Sequence, residues 1–113
     1  MSTCTDEAEV QSALSELKQE LMGTFGARLV RLVLFGSYAR GIVHPESDVD
    51  VLVVVSQREP KDGHRAADGA AAVMLRRPDV VLSPLVLSAA ELDELRARER
   101  LLAREIDRDG IDL

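Results

Sequence analysis

The run Asp48-Val-Asp-Val-Leu-Val-Val-Val55 constrains the fold more than any other segment of this 113-residue chain. β-Branched residues sit well on a pleated sheet and lose rotamer freedom in a helix. The tail of the run is apolar at consecutive positions, and an unbroken apolar strand has to be covered on both faces. Residues 48–55 are therefore predicted as a strand in a central, buried position. Its head nevertheless carries two acids. Residues two apart on a strand face the same side, so a strand that belongs in the core delivers the carboxylates of Asp48 and Asp50 side by side.

The rest of the chain supplies what such a strand needs. Residues 28–35, Arg-Leu-Val-Arg-Leu-Val-Leu-Phe, form a second β-rich run that Gly36 ends. Before it, Val10, Leu14, Leu17 and Leu21 recur at helical spacing and predict a helix over 6–22 that stops at Gly23. Residues 36–47 read as a loop, because Gly41 and Pro45 forbid a long helix. An Ala-rich helix is expected over 63–77, with Asp62 as its N-cap and Pro78 as its stop, able to lie close to a sheet. Residues 79–87 predict a third strand, at an edge or bulged, since Pro84 cannot donate to a ladder. Ser88 and Glu91 have the spacing of a capping box and open a helix running to about Arg108; Gly110 ends it and residues 111–113 form a tail. The alternation predicts one α/β (α+β) domain over 1–113, a small mixed β-sheet flanked by helices.

The chemistry concentrates where the first strand ends and the second begins. Two carboxylates that close repel, raise each other's pKa and destabilise an empty site. A hard divalent cation with oxygen ligands, such as Mg²⁺, offsets this. A pair of such ions about 3.5–4 Å apart can serve both the attacking and the leaving oxygen of a phosphoryl or nucleotidyl transfer. Gly36 allows a sharp bend and a close approach to a ligand, Ser37 adds a hydroxyl and a backbone N–H, and Arg40 is placed to reach a phosphate.

Gly36-Ser37-Tyr38-Ala39-Arg40-Gly41, a short loop, then Ser47-Asp48-Val49-Asp50-Val51-Leu52 resembles the signature of the DNA polymerase β-like nucleotidyltransferase superfamily. More narrowly, it resembles the minimal nucleotidyltransferases. The resemblance implies a palm-like fold in which Gly36 and Ser37 hold the triphosphate of a nucleotide, expected to be ATP, and Asp48 and Asp50 bind two Mg²⁺ ions. The family's third carboxylate lies on the next strand; the resemblance assigns Asp79, the acid available there, as the third metal ligand and a catalytic residue acting on the acceptor proton, with Ser83 deeper in the strand as the other occupant of that position. The resemblance also implies transfer of AMP to an acceptor hydroxyl, the acceptor being a tyrosine of a small helical HEPN partner and the chain acting as its antitoxin. A nucleotide- or partner-binding module without turnover, and transfer to a small molecule, are the alternatives the sequence leaves open.

Composition narrows the partners. The net charge is −6 and the only aromatics are Phe25, Phe35 and Tyr38, so neither a basic surface nor a stacking platform for nucleic acid is expected. The surface for an acceptor would come from a partner or a homo-oligomer. A single cysteine, Cys4, allows no internal disulfide, and the apolar runs are too short to span a bilayer, which together suit a cytoplasmic protein. Tyr38 reads most simply as packing, His44 and His64 as solvated, and the Arg-rich stretch 96–108, interleaved with acids, as a salt-bridged face.

Overall fold

The computed structural model describes residues 7–36, 48–98 and 101–113. Helix α1 spans Glu7–Phe25, and a short 3-10 turn at Gly26–Arg28 leads into strand β1, Leu29–Phe35. Strand β2 is Val49–Val55, helix α2 Asp62–Arg76 and strand β3 Leu82–Ser88. Helices α3, Ala89–Ala97, and α4, Leu101–Asp109, precede a two-residue strand β4, Ile111–Asp112. The sheet order is β3-β2-β1-β4. β1 runs antiparallel to both β2 and β4, while β3 runs parallel to β2 after the α2 crossover. This is the mixed α+β sheet expected.

The sheet divides the core in two. Leu32 and Leu34 of β1 alternate onto the same face as Val49, Val51, Val53 and Val55 of β2, where α1 and α2 cover them. Val33, Phe35, Leu52 and Val54 face the other way and pack with Leu92 of α3 and Ile106 of α4. Cover on both faces explains why β2 reads as a continuous apolar run. Every β2 residue is buried except Asp50.

Several boundaries differ from expectation for physical reasons. α1 does not stop at Gly23 but continues to Phe25, whose ring is buried beside the Leu17 and Leu21 stripe. Burying a Phe side chain stabilises by about 1.5–3 kcal/mol, against about 1 kcal/mol for a helical glycine. The turn falls instead at Gly26, with φ 55°. Asp62 is the first residue of α2 rather than its N-cap; Lys61 holds that position without a side-chain cap. β3 starts at Leu82 and not at 79, because the chain after α2 closes a turn in which the Val80 N–H bonds to the Arg77 carbonyl at 3.1 Å. Pro84 lies on that edge strand, opposite Val51.

The helix expected over 88–108 is two helices. α3 opens with the capping box: the Glu91 N–H donates to Ser88 Oγ at 3.1 Å and the Ser88 N–H to Glu91 Oε1 at 3.0 Å. Arg58 and the Ser88 N–H hold the Glu91 carboxyl down to about 2. After Arg98 the path changes, so that Leu92 and Ile106 reach the same sheet face. The expected tail is β4, whose Ile111 and Asp112 pair with Leu34 and Val33. The salt-bridged face is present: Arg96 pairs with Asp93 and Asp107, and Arg98 with Glu94.

The polar anchor beneath α2 is Asp62, whose side chain is fully buried. Its two oxygens accept bidentate hydrogen bonds from Arg28 at 3.0 Å each, and Oδ2 also accepts from the Glu59 N–H at 2.7 Å. The Arg28 guanidinium, aided by that N–H, holds the Asp62 carboxyl at about 2 against the burial that raises it. Asp62→Asn is expected to destabilise the fold by about 3 kcal/mol in urea unfolding, the low end for breaking a buried pair, because Arg28 keeps 27% of its side chain exposed. A depressed folded-state pKa gives stability that is present above the unfolded value of 3.8 and is lost as pH falls toward 2. Wild-type stability should therefore decline across that window, and Asp62→Asn should flatten this part of the profile.

Candidate functional site

The ladder between β1 and β2 sets Phe35 opposite Asp50. Gly36 follows with φ 79°, in the left-handed region. A Cβ at Gly36 would lie 2.5 Å from Oδ2 of Asp50 and 3.4 Å from its Cγ. The Asp50 carboxyl thus rests against the glycine bend, which has room for it only because Gly36 lacks a side chain. Asp48 stands just before β2, exposed, and close enough for its charge to act on Asp50. Asp50 alternates with Leu52 and Val54, so it looks out on the α3/α4 face. It is half-buried there, at the rim of the apolar cover.

Burial pushes the Asp50 carboxyl above the usual carboxylate range, and the charges of Asp48 and Glu105 push it further. All three causes penalise the charged form, so a cation bound here would relieve all three at once. The donor set is all oxygen, as a hard divalent cation requires. Among the described residues no group of three or more His, Cys, Asp or Glu side chains is close enough to hold a metal ion. Asp48 and Asp50 are the two acids that the structure brings to the glycine bend.

Of the residues singled out in the sequence, Gly36, Asp48 and Asp50 are brought together. Ser37 and Arg40 lie outside the described residues, as do Tyr38 and Gly41. Asp79 is not brought in by the ladder. It sits exposed in the turn before β3, and the parallel register sets Ser83 against Asp50. Ser83 is half-exposed and lies on the same face as Asp50. Glu105 is the residue missed. Its charge acts on Asp50 from the far end of the chain because α4 folds back over the sheet, and no local sequence pattern carries that information.

A cavity of about 340 Å³ opens elsewhere, lined by Gln11, Leu14, Lys18, Leu34 and Asp112 among others. It lies on the opposite face of β1. Its charged groups are engaged: Lys18 donates to the Leu113 carbonyl at 3.1 Å, and Asp112 pairs with Arg31 at 2.6 Å. Cavity size alone is a poor guide here, and the carboxylate pair has the better chemical claim.

The family model described as nucleotidyltransferase domain matches residues 14–108. A provisionally named protein adenylyltransferase of Methanocaldococcus jannaschii is 32% identical over 89 residues, which cover 77% of this chain and 60% of that protein. The chain thus spans 60% of the length of this relative. A second such protein from the same organism is 32% identical over 78 residues, covering 69% of this chain and 79% of its own. Among solved structures, a provisionally named nucleotidyltransferase from Sulfolobus solfataricus superposes with a TM-score of 0.51 at 18% identity, covering 96% of this chain and 87% of the other. A mutant of the toxin–antitoxin pair MntA–HpeT gives a TM-score of 0.54 at 17% identity, covering 96% and 72%. These two likenesses are likenesses of fold.

Two outcomes follow from the geometry. Gly36→Ala should destabilise the fold by about 1–3 kcal/mol, the cost of a strained backbone residue, and the loss should be smaller in an Asp50→Ala background, where the carboxyl no longer occupies the space; a double-mutant cycle in urea measures this. Asp50→Asn should raise the melting temperature at pH 7 in the absence of metal. A raised folded-state pKa means stability that is lost as pH rises through it, so the gain should vanish as pH is lowered through the carboxylate range.

Proposed function

This chain belongs to the nucleotidyltransferase domain family, and on that premise we propose that it transfers AMP from ATP to an acceptor hydroxyl on a protein. The observation that carries the reading is the Asp50 carboxyl seated on the Gly36 bend with Asp48 beside it. A triphosphate approaching the glycine backbone would meet both acids without a side chain in between. Mg²⁺ held by Asp48 and Asp50 would supply charge neutralisation at the phosphates and at the attacking oxygen.

The chain's own residues then do three things. Gly36 gives the Asp50 carboxyl its place at the bend, and the bend's backbone, with Ser37 and Arg40, holds the phosphates. Asp48 and Asp50 orient the reacting groups. The buried floor of Leu52 and Phe35 lowers the local dielectric, which strengthens each charge interaction. The acceptor oxygen attacks the α-phosphorus, a new P–O bond forms, the bond to the bridging oxygen breaks, and pyrophosphate leaves while the acceptor proton passes to solvent.

A protein acceptor is favoured by the names of the relatives, which are protein adenylyltransferases. The net charge of −6 disfavours a long nucleic acid. A toxin–antitoxin pair among the structures of like fold supports a partner protein. The specific reading is that the acceptor is a tyrosine of a small helical HEPN partner, that its modification silences that partner, and that the pair works in the cytoplasm. No helix among the described residues is long and apolar enough to cross a membrane.

Incubation with α-labelled ATP, Mg²⁺ and a small helical HEPN protein from the same source should label that protein. Asp48→Asn and Asp50→Asn should each reduce labelling at least about 100-fold, the scale of losing a transition-state charge contact. Equal labelling by wild type and both variants would refute the enzyme reading.

A further inference from the structure

Asp50 has a ladder neighbour on each side, Phe35 in β1 and Ser83 in β3. The two sides are covered unequally. Phe35 and Val33 are buried in one cluster with Ile106 of α4. β3 is the outermost strand on the other side, and the cover thins across it. Leu52 is fully buried, while Leu85, its register partner on the same face, is 36% exposed. Ser83 is half-exposed, and Leu87, further along, packs against the cluster of Leu92 and Ile106. Among the described residues a strip therefore lies open from Asp50 over Ser83 to Leu85, polar at its head and apolar at its end.

The chemistry of that strip specifies an occupant. Ser83 to Leu85 is a two-residue step of about 6.6 Å. A group that brings a hydroxyl to Asp50 and also covers Leu85 needs an apolar body between its oxygen and its backbone. A tyrosine has that form, a flat ring with a polar tip. A serine or threonine carries its hydroxyl directly on Cβ, and would leave Leu85 in water or force the acceptor backbone into the site. Resting on the proposed transfer to a protein hydroxyl, we infer that Leu85 is an acceptor-binding residue that selects a phenolic hydroxyl, its side chain seating the ring while the small Ser83 leaves the path to Asp50 open. Leu85 loses its contact with water only when the acceptor docks, so its contribution belongs to acceptor binding and not to nucleotide binding.

Initial rates of transfer from α-labelled ATP to a small helical HEPN protein from the same source, with each substrate varied in turn, separate the two. Leu85→Ala should raise KM for the acceptor on the order of tenfold, the low end of what an apolar pocket contact contributes to selection, and Leu85→Asp should raise it further. KM for ATP should stay within about twofold in both, the usual reach of a surface substitution. Leu85→Met, of similar volume, should keep the acceptor KM near that of wild type. Leu75→Asp makes the same change on α2, which covers the opposite face and where Leu75 is 85% exposed, and should move neither KM. Peptide mapping should find the label on a tyrosine. An acceptor KM unchanged in Leu85→Ala and Leu85→Asp, an equal rise in Leu75→Asp, or a parallel rise in KM for ATP would overturn the role of Leu85, with transfer by wild type still standing. Label on a serine or threonine would overturn the phenolic selection alone. No labelling by wild type would overturn protein transfer itself, and the seat with it.

Discussion

A carboxylate at the head of a buried strand is the constraint around which this structure is arranged. Asp50 is the one residue of β2 that is not buried, and burial and neighbouring charge both disfavour its ionised form. A protein stabilised only by its core would place an apolar residue there. The strain is accommodated by strands on both sides. β1 and β3 hold β2 in register, and Gly36 provides the empty space that the carboxyl occupies. The same ladder that makes the fold thus sets the distance between the acids and the bend.

That ladder needs a rigid backing, and the two faces supply it differently. On one face α1 and α2 pack an aliphatic layer against odd-numbered β2 residues, and Glu9, Glu16 and Glu20 of α1 pair with Arg76 and Arg77 at the end of α2. Those pairs are largely exposed and each contributes little; the buried Asp62–Arg28 pair ties the start of α2 to the entry of β1 more firmly. On the other face the cover is partial. Leu92 and Ile106 close it over Leu52 and Val54 and stop short of Asp50. One face is therefore scaffold, and the other is scaffold that gives way to a site.

The acids and the glycine bend were legible in the sequence because period-two alternation and a glycine at a strand end are local signals. Asp48, Asp50 and Gly36 follow from them, and the β1–β2 register brings them together as the spacing implies. The expected role of Asp79 depended on where the third strand begins, and a turn of only a few residues shifted that start to Leu82. Strand boundaries are decided by the last hydrogen bonds a turn can close, which composition does not specify. Glu105 depended on a break within an otherwise helical pattern around Arg98, where no proline or glycine marks it.

By itself, then, the sequence determined the alternation of helices and strands, the burial of residues 49–55 and the pairing of two carboxylates with a glycine bend, since each is a short-range consequence of side-chain type and spacing. Tertiary structure alone decided the parallel alignment that sets Ser83 beside Asp50, the addition of β4 to the sheet edge, and the return of α4 that lets the charge of Glu105 act on Asp50. These are contacts between segments far apart in the chain. They form because two apolar faces must both be covered, and that requirement belongs to the whole sheet rather than to any one stretch of residues.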